Sequence, residues 1–467
     1  MANSAACSSS TDSTINIRGK EGQDDQQQNN SEIRTLMSDI EKEVEMVSSL
    51  RSDYDIYRVP MQLHKLKPEA YTPQSVSIGP LHYKDEHLQT MHTHKLRYLN
   101  RLLNRPSGKT LDVYVKGVSN LEEKARKCYS ETIMDFGRDE FVKMMVIDGC
   151  FILEFLLIKT LTEKDHFRSK LSWNWEINTD FIKLENQLPF FVLDFLYGLI
   201  IFDGYNLTPP YNTLTSSHHI YASLLHRYAE GLHGLTLHGD EDIKSLPIPD
   251  GGAKHFVDLL RYALIPSFPT TRRRHGEKYL PLKYCASQLR SAGVKLQKKD
   301  PSDSPKTYLF DIEFDVNKGV LTIPTILIWD ETELVLRNLI AFEQGETYIE
   351  YFTMYTAFMD GLIDTAKDVE LLEQKGIITN NLGSREDVVT LFNNINKQVV
   401  LGDPYFSGVV KDLEEYHNKA WNKRKAGLMQ NYFNSPWSSI SVGAAALLLL
   451  LTIIQTIFSI LLFFYST

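Results

Sequence analysis

The densest group of side chains that could hold a metal ion lies in one short stretch of the chain. Imidazole and carboxylate groups are the usual ligands of zinc in proteins. Two of the histidines, His92 and His94, are too close in sequence to share one helix face. We therefore favour histidines on a solvated helix over a zinc site. The stretch contains His82, Asp85, Glu86, His87, His92 and His94.

A second polar group, Glu185-Asn186-Gln187, directly precedes a proline and an apolar run. Such side chains could position a substrate, but they also satisfy the free backbone groups at the start of a helix. We favour the role at the helix start. The alternative is an enzyme with an unfamiliar site, built from Glu185, Asn186, His82 and Asp148 if the fold brings them together.

The familiar catalytic signatures are absent from the sequence, including the P-loop, the GxSxG elbow, HExxH and the EF-hand loop. Cys150 lies inside an apolar run and is interpreted as an inert core thiol. We assign no catalytic, metal-binding or cofactor-binding residue and expect no cofactor. A basic patch of Arg272, Arg273 and Arg274 is either a solvated loop or a site for an anionic partner.

Composition narrows the class of protein further. The chain has 467 residues and a net charge of −9, which argues against nucleic-acid binding because that needs a basic face. Its four cysteines form no CxxC pair, and this pattern favours a reducing compartment.

The hydrophobic pattern predicts a mainly α fold with a small β-hairpin, an α-dominated α+β domain. Residues 1–31 are polar and should be disordered, and residues 32–430 should form the α-rich globular domain. Apolar runs at 144–158 and 188–202 suit core helices that pack together. Residues 203–250 resemble a loop-rich insertion, and 308–316 with 320–329 predict a hairpin around Asn317-Lys318-Gly319.

An amphipathic helix is predicted just after the polar N-terminal segment. We favour a helix that caps the domain, and a helix that binds a partner is the alternative. Its apolar residues recur at helical spacing and are Ile33, Leu36, Met37, Ile40, Val44, Val47 and Leu50.

The C-terminal stretch, 440–465, contains no charged residue. As a helix its 26 residues would be about 39 Å long, more than the ~30 Å hydrocarbon core of a bilayer. We therefore expect a single transmembrane helix, and the basic residues just before it place the bulk of the chain in the cytosol. The protein is therefore expected to be a single-pass membrane protein, and the plasma membrane is the favoured location.

Several blocks, in order, resemble the plant-specific domain-of-unknown-function 247 family over roughly residues 33–465. The blocks are YRVP at 57–60, AYTP at 70–73, VSIGPLH at 76–82, DGCFILE at 148–154, LENQLPFF at 184–191, RNLIAFEQ at 337–344 and PWSSIS at 436–441. The resemblance implies a land-plant protein with a large α-helical domain, a C-terminal membrane anchor and no established enzymatic activity. It also implies a link to reproductive recognition, including self-incompatibility, which is associated with some members.

The favoured hypothesis is a membrane-tethered recognition or signalling protein that acts through protein–protein contacts. Its partners would be the membrane, an unidentified protein and another copy of itself. An enzyme and a structural membrane adaptor are the alternatives. The candidate structural or functional residues are Tyr71, Gly79, Pro80, His82, Asp148, Glu185, Asn186, Gln187, Pro189, Asn338 and Glu343.

Overall fold

The computed structural model describes residues 33–42, 44, 54–105, 109–130, 136–160, 174–201, 252–265, 278–300, 309–345, 349–419 and 436–465. The segment predicted to be disordered, the 203–250 insertion and the basic patch at 272–274 lie outside these residues. The chain divides into two units, Met1–Tyr54 and Asp55–Thr467. In the first, residues 33–42 are helical as predicted, and their apolar side chains are exposed.

The described part of the second unit is mainly helical, as the sequence predicts. Its first helices are α1 (Met61–His64), α2 (Pro68–Tyr71), α3 (Thr90–Leu103), α4 (Leu111–Arg126), α5 (Arg138–Thr160), α6 (Asn174–Phe181), α7 (Phe190–Ile201) and α8 (Phe256–Leu264). After α9 (Ala286–Ser291) and a group of strands come α10 (Thr332–Gly345), α11 (Tyr351–Leu362), α12 (Ala366–Gln374), α13 (Arg385–Ile395), α14 (Ser407–Asn418) and α15 (Pro436–Tyr465).

Helix α5 lies at the centre of the N-terminal half of this unit and packs against α3, α4 and α7. It is apolar around most of its circumference, which is typical of a buried helix. Gly149 allows the close approach to α7, because a Cβ atom there would lie 2.3 Å from Leu196 Cδ1. The prediction that the two long apolar runs form core helices that pack together is confirmed.

Five short strands form two small sheets in the described residues: β1 (Lys295–Lys298), β2 (Glu313–Asp315), β3 (Val320–Ile323), β4 (Ile326–Ile328) and β5 (Ile378–Asn380). Strands β2 and β3 pair antiparallel, with Asp315 opposite Val320, so the predicted hairpin is confirmed. Pro324 interrupts the predicted second strand, since proline cannot donate to a ladder. The parallel pairs β1–β3 and β4–β5 were not predicted.

The prediction of a transmembrane helix is wrong for the residues that the structure describes. The last helix, α15, is present, but no described helix is long and apolar enough to cross a membrane. The expected single-pass location, the plasma membrane and the cytosolic orientation rested on this helix and are corrected with it.

Candidate functional site

An extended segment, residues 72–82, lies next to α3, α5 and the turn after α6, and its residues 76–82 are buried. Val76 and Ile78 in this segment are fully buried, yet the segment belongs to no strand. Buried backbone N–H and C=O groups need hydrogen-bond partners. Here polar side chains from distant parts of the chain supply them.

The first of these side chains is Asp180 at the end of α6. Its carboxylate accepts hydrogen bonds from three consecutive backbone N–H groups, those of Gln74, Ser75 and Val76, at 2.7–3.2 Å. Lys183 pairs with Asp180 at 3.0 Å and donates to the Thr72 carbonyl at 2.7 Å. One buried ion pair therefore binds the first half of the segment.

The middle of the segment is held by an amide and a second ion pair. Asn186 accepts from the Ile78 N–H at 2.6 Å and donates to the Val76 carbonyl at 3.0 Å. Asp148 on α5 accepts from the Gly79 N–H at 2.9 Å, and its other oxygen lies 2.5 Å from Lys95 Nζ. Burial raises the pKa of Asp148, while the Lys95 ammonium acts in the opposite direction.

Gly79 is required by both its conformation and its surroundings. Its φ of +72° is in the left-handed region that favours glycine, and an added Cβ would lie 2.5 Å from the Gln187 carbonyl oxygen. The next residue, Pro80, is buried. The chain can therefore turn here only with a residue that has no side chain.

His82 ends the segment between two carboxylates. Its Nε2 lies 3.0 Å from Glu185 Oε2, and its Nδ1 lies 2.7 Å from Asp85 Oδ2. Glu185 also accepts from the Val59 N–H at 2.8 Å and faces Arg58 at 3.5 Å. His82 and Glu185 are nearly inaccessible, with side chains 5% and 2% exposed.

Gln187 fixes the turn before α7. Its side-chain amide donates to the carbonyls of Phe181 and Lys183, both at 2.7 Å, and accepts from the Phe256 N–H at 3.0 Å. Pro189 is buried and directly precedes α7. These residues join the end of α6 to the starts of α7 and α8.

Asn338 on α10 connects this polar cluster to the C-terminal half of the unit. It accepts from the Leu184 N–H and donates to the Ala70 carbonyl, both at 2.8 Å. Tyr71, the residue after Ala70, is buried, and burial raises the pKa of its hydroxyl against the opposing effect of Arg337. The tyrosine ring stacks on His64 with centroids 6.0 Å apart.

Glu343 lies on the same helix but bridges other elements. It accepts from the N–H groups of Phe352 and Thr353 at 3.2 and 3.0 Å, at the start of α11, and pairs with Arg261 of α8 at 3.3 Å. Burial raises the pKa of this carboxyl to about 7, against the opposing effect of Arg261.

The fold therefore collects most of the sequence-predicted residues around one buried segment, with Glu343 outside it. The enzyme alternative named Glu185, Asn186, His82 and Asp148, and all four bind this segment or lie in it. Sequence reasoning missed Lys95, Asp180 and Lys183. A signal existed for Lys95, which sits in the apolar stripe of α3 one turn after Met91.

A cleft of about 440 Å³, lined in part by Glu333 and Arg337 of α10, is more accessible to solvent than this buried cluster. Arg337 lines it with a side chain only 3% exposed, fixed by Glu333 at 2.8 Å and by the Asn394 carbonyl at 3.4 Å. Trp329 and Leu66 at the cleft are 38% and 39% exposed. The cleft thus combines an immobilised guanidinium with accessible apolar surface.

The fold and the polar cluster together define a mainly helical domain. Side chains in its interior form hydrogen bonds to a backbone segment that belongs to no β-sheet. The chain belongs to the DUF247 family, described as plant protein of unknown function, whose model matches residues 56–451.

Two plant relatives resemble the chain over most of its length. UPF0481 protein At3g47200 of Arabidopsis thaliana is 32% identical over 87% of this chain and 86% of its own length. Putative UPF0481 protein At3g02645 of the same plant is 25% identical over 86% of this chain and 89% of its own. No solved structure matches the chain.

Replacing Lys95 with methionine should lower the free energy of unfolding by about 3–5 kcal/mol, because Asp148 is left as an unpaired buried charge. Chemical denaturation measures this value. The double variant Lys95→Met/Asp148→Asn should recover part of the loss, since no buried charge remains. The matched control is Lys116→Met on α4, whose exposed partner is Asp112. Equal losses for the Lys95 and Lys116 variants would contradict this account.

Glu343 should make stability depend on pH. The folded protein holds the Glu343 proton more tightly than the unfolded chain, so this stabilisation is complete below about pH 4.5 and is lost as pH rises through about 7. The change is on the order of 3 kcal/mol. Glu343→Gln should flatten the slope of unfolding free energy against pH over this range, whereas the exposed control Glu386→Gln should keep it. An unchanged slope in Glu343→Gln would show that another group titrates.

Proposed function

We propose that this protein acts by binding a segment of another protein in the cleft beside α10. This cleft, which we call the α10 cleft, is formed by the end of β4, one side of α10, and α13. Its lining residues include Leu66, Lys67, Trp329, Asp330, Glu333, Arg337, Leu382, Asp387, Thr390, Leu391, Asn394 and Lys397. The single observation that carries the proposal is that accessible Trp329 and the immobilised Arg337 line the same cleft, since tryptophan and arginine dominate protein interfaces energetically.

The charges of the α10 cleft favour a peptide over a simple ion. Three basic and three acidic side chains line it, so no sign of charge prevails. Lys67 lies 3.2 Å from Glu333 and 3.5 Å from Glu69, and Glu333 also pairs with Arg337, so both cations already have carboxylate partners. A peptide backbone offers donors and acceptors together and suits such a surface. Leu66 and Trp329 would then receive one apolar side chain of that peptide.

The buried polar cluster gives a second argument for a binding role, since it holds the surrounding helices in place. Its carboxylates and amides already bind backbone groups of the chain itself, as at Asp180 and Asn186. Such a cluster stiffens the frame beneath the α10 cleft and reduces the conformational cost of binding. We extend the proposal to recognition or signalling in reproductive processes, including self-incompatibility, supported by the resemblance to family members with those associations.

The test uses the full chain and a displayed library of random peptides as the probe. Peptides enriched on the wild-type protein should bind Trp329→Ala at least about thirtyfold more weakly, as expected for a central interface residue. The control is Leu96→Ala on α3, since Leu96 is 41% exposed and does not line the cleft. Hydrogen exchange with bound peptide should protect α13 and the end of β4.

Two outcomes would overturn the proposal. One is a library that yields no peptide bound more tightly by wild-type protein than by Trp329→Ala. The other is equal weakening by Leu96→Ala, which would show that the loss at Trp329 reflects instability or a different surface. Circular dichroism of each variant separates a binding defect from unfolding.

A further inference from the structure

The helix at 33–42 carries a row of exposed apolar side chains, which we call its seam. Ile33, Met37 and Ile40 of this helix, and Val44, a helical residue two positions beyond it, follow one another at intervals of four, three and four residues, which is the spacing of a coiled-coil seam. Their exposures run from 47% at Ile33 to 60% at Val44. A ten-residue helix has only marginal stability in water unless its apolar face is covered. We therefore expect a second helix to pack on this seam.

We propose that this seam is covered by the same helix of a second copy of the chain, in an antiparallel two-helix coiled coil. In that arrangement Ile33 faces Val44 of the second copy and Met37 faces its Ile40. The four layers are symmetric, because exchanging the two copies gives the same set of contacts. One short segment thus makes a closed, self-complementary interface.

Flanking charges favour this occupant and this orientation. Arg34 and Glu41 are seven residues apart and therefore lie on the same flank of the seam. When two such helices run antiparallel, this flank meets itself, so Arg34 of one copy approaches Glu41 of the other, twice. In a parallel pair Arg34 and Glu41 would not meet. The Asp39–Lys42 ion pair, at 3.3 Å, is formed within one helix by positions outside the seam.

Sedimentation equilibrium of the full chain tests the proposal. Wild-type protein should show a monomer–dimer equilibrium, and Ile40→Glu should raise its dissociation constant at least about tenfold, since it places a carboxylate in two adjoining layers. The control is Thr35→Glu, which adds the same charge on the exposed side of the helix. It should leave the dimer unchanged. Circular dichroism confirms that each variant stays folded.

Charge exchange tests the orientation. Arg34→Glu and Glu41→Arg should each weaken the dimer by about fivefold or more, because each puts two like-charged pairs across the seam. The combined variant, Arg34→Glu/Glu41→Arg, should restore wild-type affinity.

Three results would overturn the proposal. The first is a wild-type chain that stays monomeric at every concentration, with Ile40→Glu lowering its melting temperature, since the helix would then pack on its own chain. The second is a dimer insensitive to Ile40→Glu, since it would use another surface. The third is a combined charge variant no tighter than the single ones, which would exclude the antiparallel pairing.

Discussion

The largely buried segment at residues 72–82 is the constraint on which the rest of this structure depends. An extended segment inside a protein usually pairs with a neighbouring strand, but this one has no strand beside it among the described residues. Its N–H and C=O groups would each cost free energy if left without partners. Asp180, Asn186 and Asp148 act in place of the missing strand, and they come from α6, from the turn after it and from α5. The helices cannot shift without breaking these bonds.

Charge balance follows from the same constraint. A carboxylate that binds several N–H groups in the interior needs a cation close by, and Lys183 and Lys95 supply it. Buried ion pairs add little net stability compared with an apolar core, because both ions must be desolvated. Removing one partner is nevertheless costly, so these pairs favour one arrangement of the helices over its alternatives. Helix α10 links the interior to the surface, because Asn338 binds the backbone of Leu184 while its neighbour Arg337 lines the cleft.

The predictable features are local in sequence. Apolar runs, the Asn317-Lys318-Gly319 turn and the helix at 33–42 follow from periodicity and turn chemistry, which need only neighbouring residues. The parallel partner of β3 and the position of Lys95 against Asp148 depend on contacts between distant residues, which periodicity does not encode. The polar residues before α7 were expected to satisfy backbone at a helix start. In the structure Asn186 binds a segment more than one hundred residues away in the sequence.

The position of the sequence blocks that this chain shares with its family explains why family membership alone does not identify an activity. The blocks at 76–82, 148–154 and 184–191 contain Asn186, Asp148 and Glu185, which bind the buried segment, so they report how part of the frame is built. The α10 cleft draws on Leu66, Trp329 and α13, which lie outside those blocks, and Arg337 is its one lining residue from the block at 337–344. A chain can therefore keep the frame while the residues that line the cleft change. If the proposed binding role is right, its specificity is set at the cleft rather than in these blocks.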